Sequence, residues 1–335
     1  MKRIVRTPIG VLALALAACG GSSSPAEEEP TAGAEDTDIQ GVRVELVNEG
    51  EEPRVPLRYV QRNGMSDRVR LEFQLYEQVT MGGENDLFEG PPARFIATLG
   101  PTEVESGLLE VPVAITAAEL FVPSDTSDEA VAFLEARLTP LTQIQGSYYV
   151  DAMGRTRARA LLLPDAELPS RITSILTGTR TLLMTVPLPE EPVGVGAEWE
   201  AVRILDGVVE GIEQRTRYTV SSMTEGGAVL RVSVRESARE QQLIEQVDDH
   251  GQVEARLTNF DSTGQGTVTI RFDALSAAGR VEVTNISQVE LTIDGETETM
   301  RSEIRLAARV QPESAEADAT IVEPTSEDAP AEEEE

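Results

Sequence analysis

DRVRLEFQLYEQVTM, residues 67–81, alternates with a period of two. Val69, Leu71, Phe73, Leu75, Val79 and Met81 share one parity, while Arg68, Arg70, Glu72 and Gln74 share the other. A helix would scatter these residues around its axis, whereas an extended strand sends them to opposite faces. One face is then dry and the other wet, the pattern of an antiparallel sheet. The same alternation recurs in AVLRVSV (Leu230, Val232, Val234), TVTIRF (Val268, Ile270, Phe272) and EIRLAARV (Ile304, Leu306, Ala308, Val310). Asp206-Gly207 and Asp294-Gly295 are two-residue hairpin signals, and Ala152-Met153-Gly154 and Glu225-Gly226-Gly227 suit longer turns. The spacing predicts about a dozen strands, many of them long.

Two stretches depart from this period. TSDEAVAFLEARL opens with Thr126 and Glu129 spaced as a capping box, and Val131, Phe133, Leu134 and Leu138 follow at helical intervals. PSRITSILTGTRTLLMTV starts with a first-turn proline, Pro169, carries Ile172, Ile175, Leu176, Leu183 and Val186 as an apolar stripe, and stops at Pro187. The expected fold is therefore α+β and mostly β. Long antiparallel strands form a strongly curved sheet or half-barrel, and two amphipathic helices, near 126–139 and 169–186, pack on its dry face.

The chain's single cysteine, Cys19, follows Leu16-Ala17-Ala18 at the end of an apolar run that begins near Ile9 behind Lys2, Arg3 and Arg6. The run is too short to span a bilayer and has the order of a secretory leader. LAAC resembles the lipobox of bacterial lipoproteins. The resemblance implies a diacylglycerol thioether on Cys19, removal of residues 1–18, and membrane attachment through two or three acyl chains. Each buried CH2 contributes about 0.8 kcal/mol of membrane affinity, so more than one chain is needed for a stable anchor. Gly20 stands where an Asp would imply retention in the inner membrane, so a Gram-negative host would place the protein at its outer membrane.

Residues 19–40 and 313–335 are acidic, proline-interrupted and poor in apolar residues, and are expected to be a disordered tether and tail around a single β-rich domain over 41–312. The chain holds 59 acids against 28 Lys and Arg, for a net charge of −31. Such a surplus disfavours nucleic acid and anionic headgroups as partners. Composition also narrows the chemistry. Lys2 is the only lysine and falls in the leader, which excludes a P-loop or a Schiff base in the mature chain. With one histidine and one cysteine, no zinc site of the usual kind can be assembled, and no cofactor is expected. His250, in VDDHGQV beside Asp248 and Asp249, reads as a solvated turn residue rather than a general base.

In PLPEEPVGVGAEWEAV, Gly194 and Gly196 lack the third glycine of a dinucleotide fingerprint and lead into a strand instead of a helix. Trp199 reads as a core anchor. The motif Pro192-Val193-x-Val195-Gly196-x-x-Trp199, together with STGQGTVTIRFDALSAAGRVEV (262–283), resembles a group of uncharacterised bacterial envelope lipoproteins. The resemblance implies a β-rich, curved-sheet body and brings no catalytic residue. The functional expectation is a non-catalytic envelope lipoprotein that binds a lipid or other apolar ligand within the sheet. The alternative is a structural or protein-interaction lipoprotein with a filled core, and a carboxylate-dependent hydrolase is a weaker one.

In a bacterial host fed an alkyne-palmitate, the wild-type chain is expected to incorporate label and partition with membranes. Cys19→Ser is expected to lose both, as read by in-gel fluorescence after fractionation.

Overall fold

The computed structural model describes residues 41–313 apart from 163–184, 206–208, 249–250, 294 and scattered positions between 123 and 138. The described residues form fifteen strands, in chain order as follows. The first eight are β1 (Arg43–Asn48), β2 (Asp67–Met81), β3 (Glu84–Glu89), β4 (Ala93–Leu99), β5 (Glu103–Glu105), β6 (Leu108–Leu120), β7 (Gln145–Val150) and β8 (Thr156–Leu162). After these come β9 (Glu198–Leu205), β10 (Ile212–Thr224), β11 (Gly227–Ser237), β12 (Gln241–Asp248), β13 (Gly251–Arg271), β14 (Ala278–Ile293) and β15 (Glu296–Pro312). All belong to one sheet, ordered β1-β9-β10-β11-β13-β14-β15-β2-β4-β6-β7-β8, with β12, β3 and β5 pairing β13, β2 and β6 from the side. Every pairing is antiparallel, and among the described residues the hydrogen-bonded path stays open, ending at β1 and β8.

The alternation in residues 67–81 holds along β2: Val69, Leu71, Phe73, Leu75 and Val79 are buried. Glu77 shares their face. The expected turns hold in part. Asp206-Gly207 lies outside the described residues, and the strands around it pair as Leu205 with Ile212, across six residues rather than two. The turn at Glu225-Gly226 is tighter than expected. Thr224 pairs with Gly227 across Glu225-Gly226, and Ile293 pairs with Glu296 across a turn in which Gly295 has a φ of 84°.

A flat sheet would leave this apolar face wet, so it bends until the face meets itself. Tyr148 on β7 donates a hydrogen bond of 3.3 Å to the carbonyl of Leu275, between β13 and β14. In a flat sheet five strand intervals would separate β7 from β14, about 24 Å at ~4.8 Å each. Val42, before β1, and Thr156, opening β8, line one crevice although they stand at opposite ends of the path. One continuous apolar core results, joining Phe73 and Phe95 to Trp199, Val234 and Ile270.

Two non-strand segments help to close it. Residues 185–188 lie beside the turn between β7 and β8: Leu188 N–H donates to Met153 O at 2.8 Å, and the Thr185 hydroxyl donates to Gly154 O at 3.0 Å. Val55 and Val193 exchange two backbone hydrogen bonds of 3.0 Å. Trp199 is fully buried on β9, stacks on Tyr218 of β10 at 5.5 Å, and donates its indole N–H to Pro187 O at 2.8 Å. The motif before it is a clamp. Glu51 N–H donates to Val195 O at 2.8 Å, and Gly194 N–H donates to Glu49 O at 2.9 Å. Gly196, at a φ of 80°, donates to Val220 O at 2.9 Å.

The structure corrects the fold class. The described residues are nearly all sheet, so α+β is not supported, and no amphipathic helix is found among them on the dry face. Of the first expected helix, Glu129, Val131, Ala132 and Ala136 are helical, but Phe133, Leu134 and Leu138 lie outside the described residues. Of the second, 169–184 lie outside them, while Thr185 and Val186 are buried and not helical. Periodicity identified segments able to cover a dry face. It could not show that the sheet, by curling, covers much of that face itself.

A Cβ on Gly194 would stand only 1.7 Å from Glu51 O, a backbone atom pinned by the clamp. Gly194→Ala is expected to destabilise the domain by about 1–3 kcal/mol, the usual range for overpacking. The check is a fall in the urea midpoint at unchanged m.

Candidate functional site

The registers place side chains of neighbouring strands in rows, and three consecutive rows dominate the convex face of the central strands. The first runs Arg215, Arg235, Thr263, Thr284, Arg305, Tyr76 across β10, β11, β13, β14, β15 and β2. The second runs Arg217, Ser233, Gln265, Glu282, Ala307, Gln74, and the third Thr219, Arg231, Thr267, Arg280, Arg309, Glu72. Eighteen outward positions thus hold seven exposed arginines and two glutamates, the rest being uncharged. In a chain of net charge −31, this is a local reversal of sign.

Acids at the rim and within the rows neutralise part of the field. Arg215 pairs with Glu213 at 2.6 Å and with Glu200 at 3.2 Å, and Arg217 reaches Glu200 at 3.6 Å. Arg280 pairs with Glu282 at 2.5 Å. Glu303 lies between Arg305 and Arg301, at 2.7 and 3.1 Å, and hydrogen bonds from these guanidiniums, Arg305 first, hold its carboxyl below the usual carboxylate range. Arg231 and Arg235 make no ion pair among the described residues, and Arg235 sits directly opposite Arg215. Like charges in that position are destabilising. Two grooves cross the field. One, of about 420 Å³, is lined by Gln74, Tyr76, Glu282 and Arg305. The other, of about 710 Å³, is lined by Arg70, Arg280, Arg309, Gln311 and Glu313.

The concave face is organised differently. Its main apolar core and a smaller one (Ala255, Leu257, Val289, Leu291) are separated by a polar row: Arg203, Gln214, Glu236, Ser262, Asn285, Ile304, Glu77. Arg203 Nε donates to Gln214 Oε1 at 2.6 Å, and Gln214 Nε2 donates to Glu236. The hydroxyls of Ser262 and, one row further, Ser302 are buried without a hydrogen-bond partner among the described residues. Beside this row, Val42, Thr156, Ala201, Arg203, Thr216 and Tyr218 line a crevice of about 20 Å³, room for roughly one water. Burial pushes the Tyr218 hydroxyl up to about 12 despite the nearby Arg203 charge.

Cys19, His250 and its neighbour Asp249 lie outside the described residues. Trp199 is in the core, as its sequence context predicts. Among the described residues no cluster of three or more His, Cys, Asp or Glu side chains could hold a metal ion. Sequence reasoning missed the convex field. Each arginine is visible in an alternating stretch, but only the register brings arginines of β10, β11, β14 and β15 side by side.

No family model matches the chain, and no curated protein matches it. Among solved structures, a mutant of the Rhodopseudomonas blastica porin covers 73% of this chain and 100% of its own length, at 10% identity and a TM-score of 0.20. Pseudomonas aeruginosa OpdL covers 74% of this chain and 99% of its own, at 5% identity and a TM-score of 0.20. Likeness at that level carries no argument about this protein. The polarity of the strands is the more telling evidence. A transmembrane barrel turns its apolar side chains outward, and an arginine on its lipid face costs about 2–4 kcal/mol at the midplane. Here the apolar set points inward and the arginines outward, so the central convex face does not face lipid.

Replacing Arg235 by Glu turns a like-charge pair into an opposite one. In a chain ending at Glu313, Arg235→Glu is expected to raise stability by about 0.2–1 kcal/mol. A rise in the urea midpoint checks this, and a fall would mean that Arg235 already has an anionic partner.

Proposed function

We propose that this protein is a non-catalytic lipoprotein of the cell envelope, held through lipid on Cys19, that works as an interaction module through the convex face of its sheet. The observation that carries this reading is the contrast between the two faces. The main apolar part of the concave face is filled by the protein's own side chains, from Phe95 to Trp199 and Leu230, and the crevice beside it has room for about one water. The convex face presents an exposed basic field with grooves. Its partner is an acidic segment of an envelope protein, recognised by guanidinium–carboxylate pairs, which take up charge on both sides at little cost in desolvation at an exposed surface.

A second reading is favoured by one observation. Ser262 and Ser302 bury hydroxyls that have no partner among the described residues beside the smaller apolar core, an arrangement that suits a ligand with an apolar body and a hydrogen-bonding group. Burying a hydroxyl without a partner costs about 1–3 kcal/mol in proteins, which such a ligand would offset.

Native mass spectrometry of the mature chain, produced without its leader and with Cys19→Ser, separates the two. A bare mass is the expected result and supports the filled core. A stoichiometric apolar adduct that leaves on denaturation would overturn it in favour of the second reading.

A further inference from the structure

We infer that the acidic C-terminal segment, residues 314–335, is an intramolecular occupant of the convex arginine field and competes there with any acidic partner. The inference rests on reading that face as the binding surface. It starts from where the described chain ends. Glu313 N–H donates to Arg68 O at 2.7 Å, and its carboxylate pairs with Arg68 at 2.5 Å and Arg70 at 3.6 Å. Both arginines are outward residues of β2. Glu313 also lines the larger groove together with Arg70, Arg280 and Arg309. The first acid of the C-terminal run is therefore already seated at the edge of the field, and the chain continues from there.

Charge and reach agree with this. Residues 314–335 contain Glu316, Asp318, Glu323, Glu327, Asp328 and the four glutamates 332–335, with no base. On the field, Arg231 and Arg235 lack ion pairs among the described residues, and Arg215 and Arg235 face one another. A random coil of this length would have a typical span of about 25 Å, from ~5–6 Å × √n. The field is six strands wide, about 24 Å at ~4.8 Å per interval. A segment tethered at the edge of the field is held at an effective concentration in the millimolar range. A free acidic partner must displace it, so the segment sets a threshold for binding. The N-terminal tether is also acidic, but it enters at β1, at one end of the strand path and away from the larger groove. Multiple weak guanidinium–carboxylate pairs do not require a fixed structure. They do require low screening.

The test uses the full mature chain with Cys19→Ser and a nitroxide on Ala331→Cys. At low ionic strength, paramagnetic broadening is expected at the backbone amides of outward residues Arg217, Ser233, Gln265 and Glu282, and not at β6 or β7. The broadening should disappear in Arg231→Glu/Arg235→Glu, and also in ~1 M salt, where the screening length falls to about 3 Å. An unlabelled spectrum with native dispersion confirms that the variant is folded, and Arg235→Gln, a milder change, should weaken the broadening without abolishing it. Absence of broadening at low salt, or broadening indifferent to both the variant and salt, would overturn the inference. So would broadening in an isotope-labelled chain mixed with a spin-labelled, isotope-free one, since the segment would then belong to a second copy. None of these outcomes bears on the native mass, which tests the filled core separately.

Discussion

A sheet of fifteen strands with one apolar face has to bury that face, and in this protein much of the burial comes from the sheet bending onto itself. The hydrogen bond from Tyr148 to Leu275 O spans what would be about 24 Å in a flat sheet, at ~4.8 Å per strand interval. The clamp around Gly194 and the bond from Trp199 to Pro187 O hold two crossing segments against the sheet near the ends of the strand path. The hydrophobic driving force is non-directional, so the closure geometry comes from these directional contacts. The apolar side chains are the same set that the alternation defines. What they pack against depends on the curvature.

Bending the sheet one way has a consequence for charge. With the apolar set turned inward, the alternate positions of every long strand are presented outward together. Seven arginines from four strands then share one surface on a strongly acidic chain. Acidic residues gather at the rim and in the terminal segments, so net charge is a poor guide to the local field. An overall charge of −31 argues against an anionic partner only if the charge is spread evenly. It is not, and the central convex face has the opposite sign.

Much of the sheet was legible in the sequence because a period of two is a local property. The dry face of β2, the hairpins at Glu225-Gly226 and at Gly295, and the burial of Trp199 all followed from residues within a few positions of each other. Glu77 was missed because a single acid on an apolar parity looks like an interruption. In the structure it closes a polar row running from Arg203 through Gln214 and Ser262 to β2. The helical spacing near 126–139 agrees with Glu129, Val131, Ala132 and Ala136, which are helical, while Phe133, Leu134 and Leu138 of its expected stripe fall outside the described residues.

The sequence by itself determined which side of each strand is dry, where several chain reversals fall, and that Gly194 and Gly196 serve a turn rather than a nucleotide. These depend on backbone stereochemistry and on neighbours in the chain. The tertiary structure alone decided the strand order, the register and the direction of curvature. Those are set by pairings between residues as far apart as Leu71 and Val310, whose alignment no local pattern encodes. The basic field exists only at that level, because arginines scattered along the chain become one surface when register and curvature bring them together.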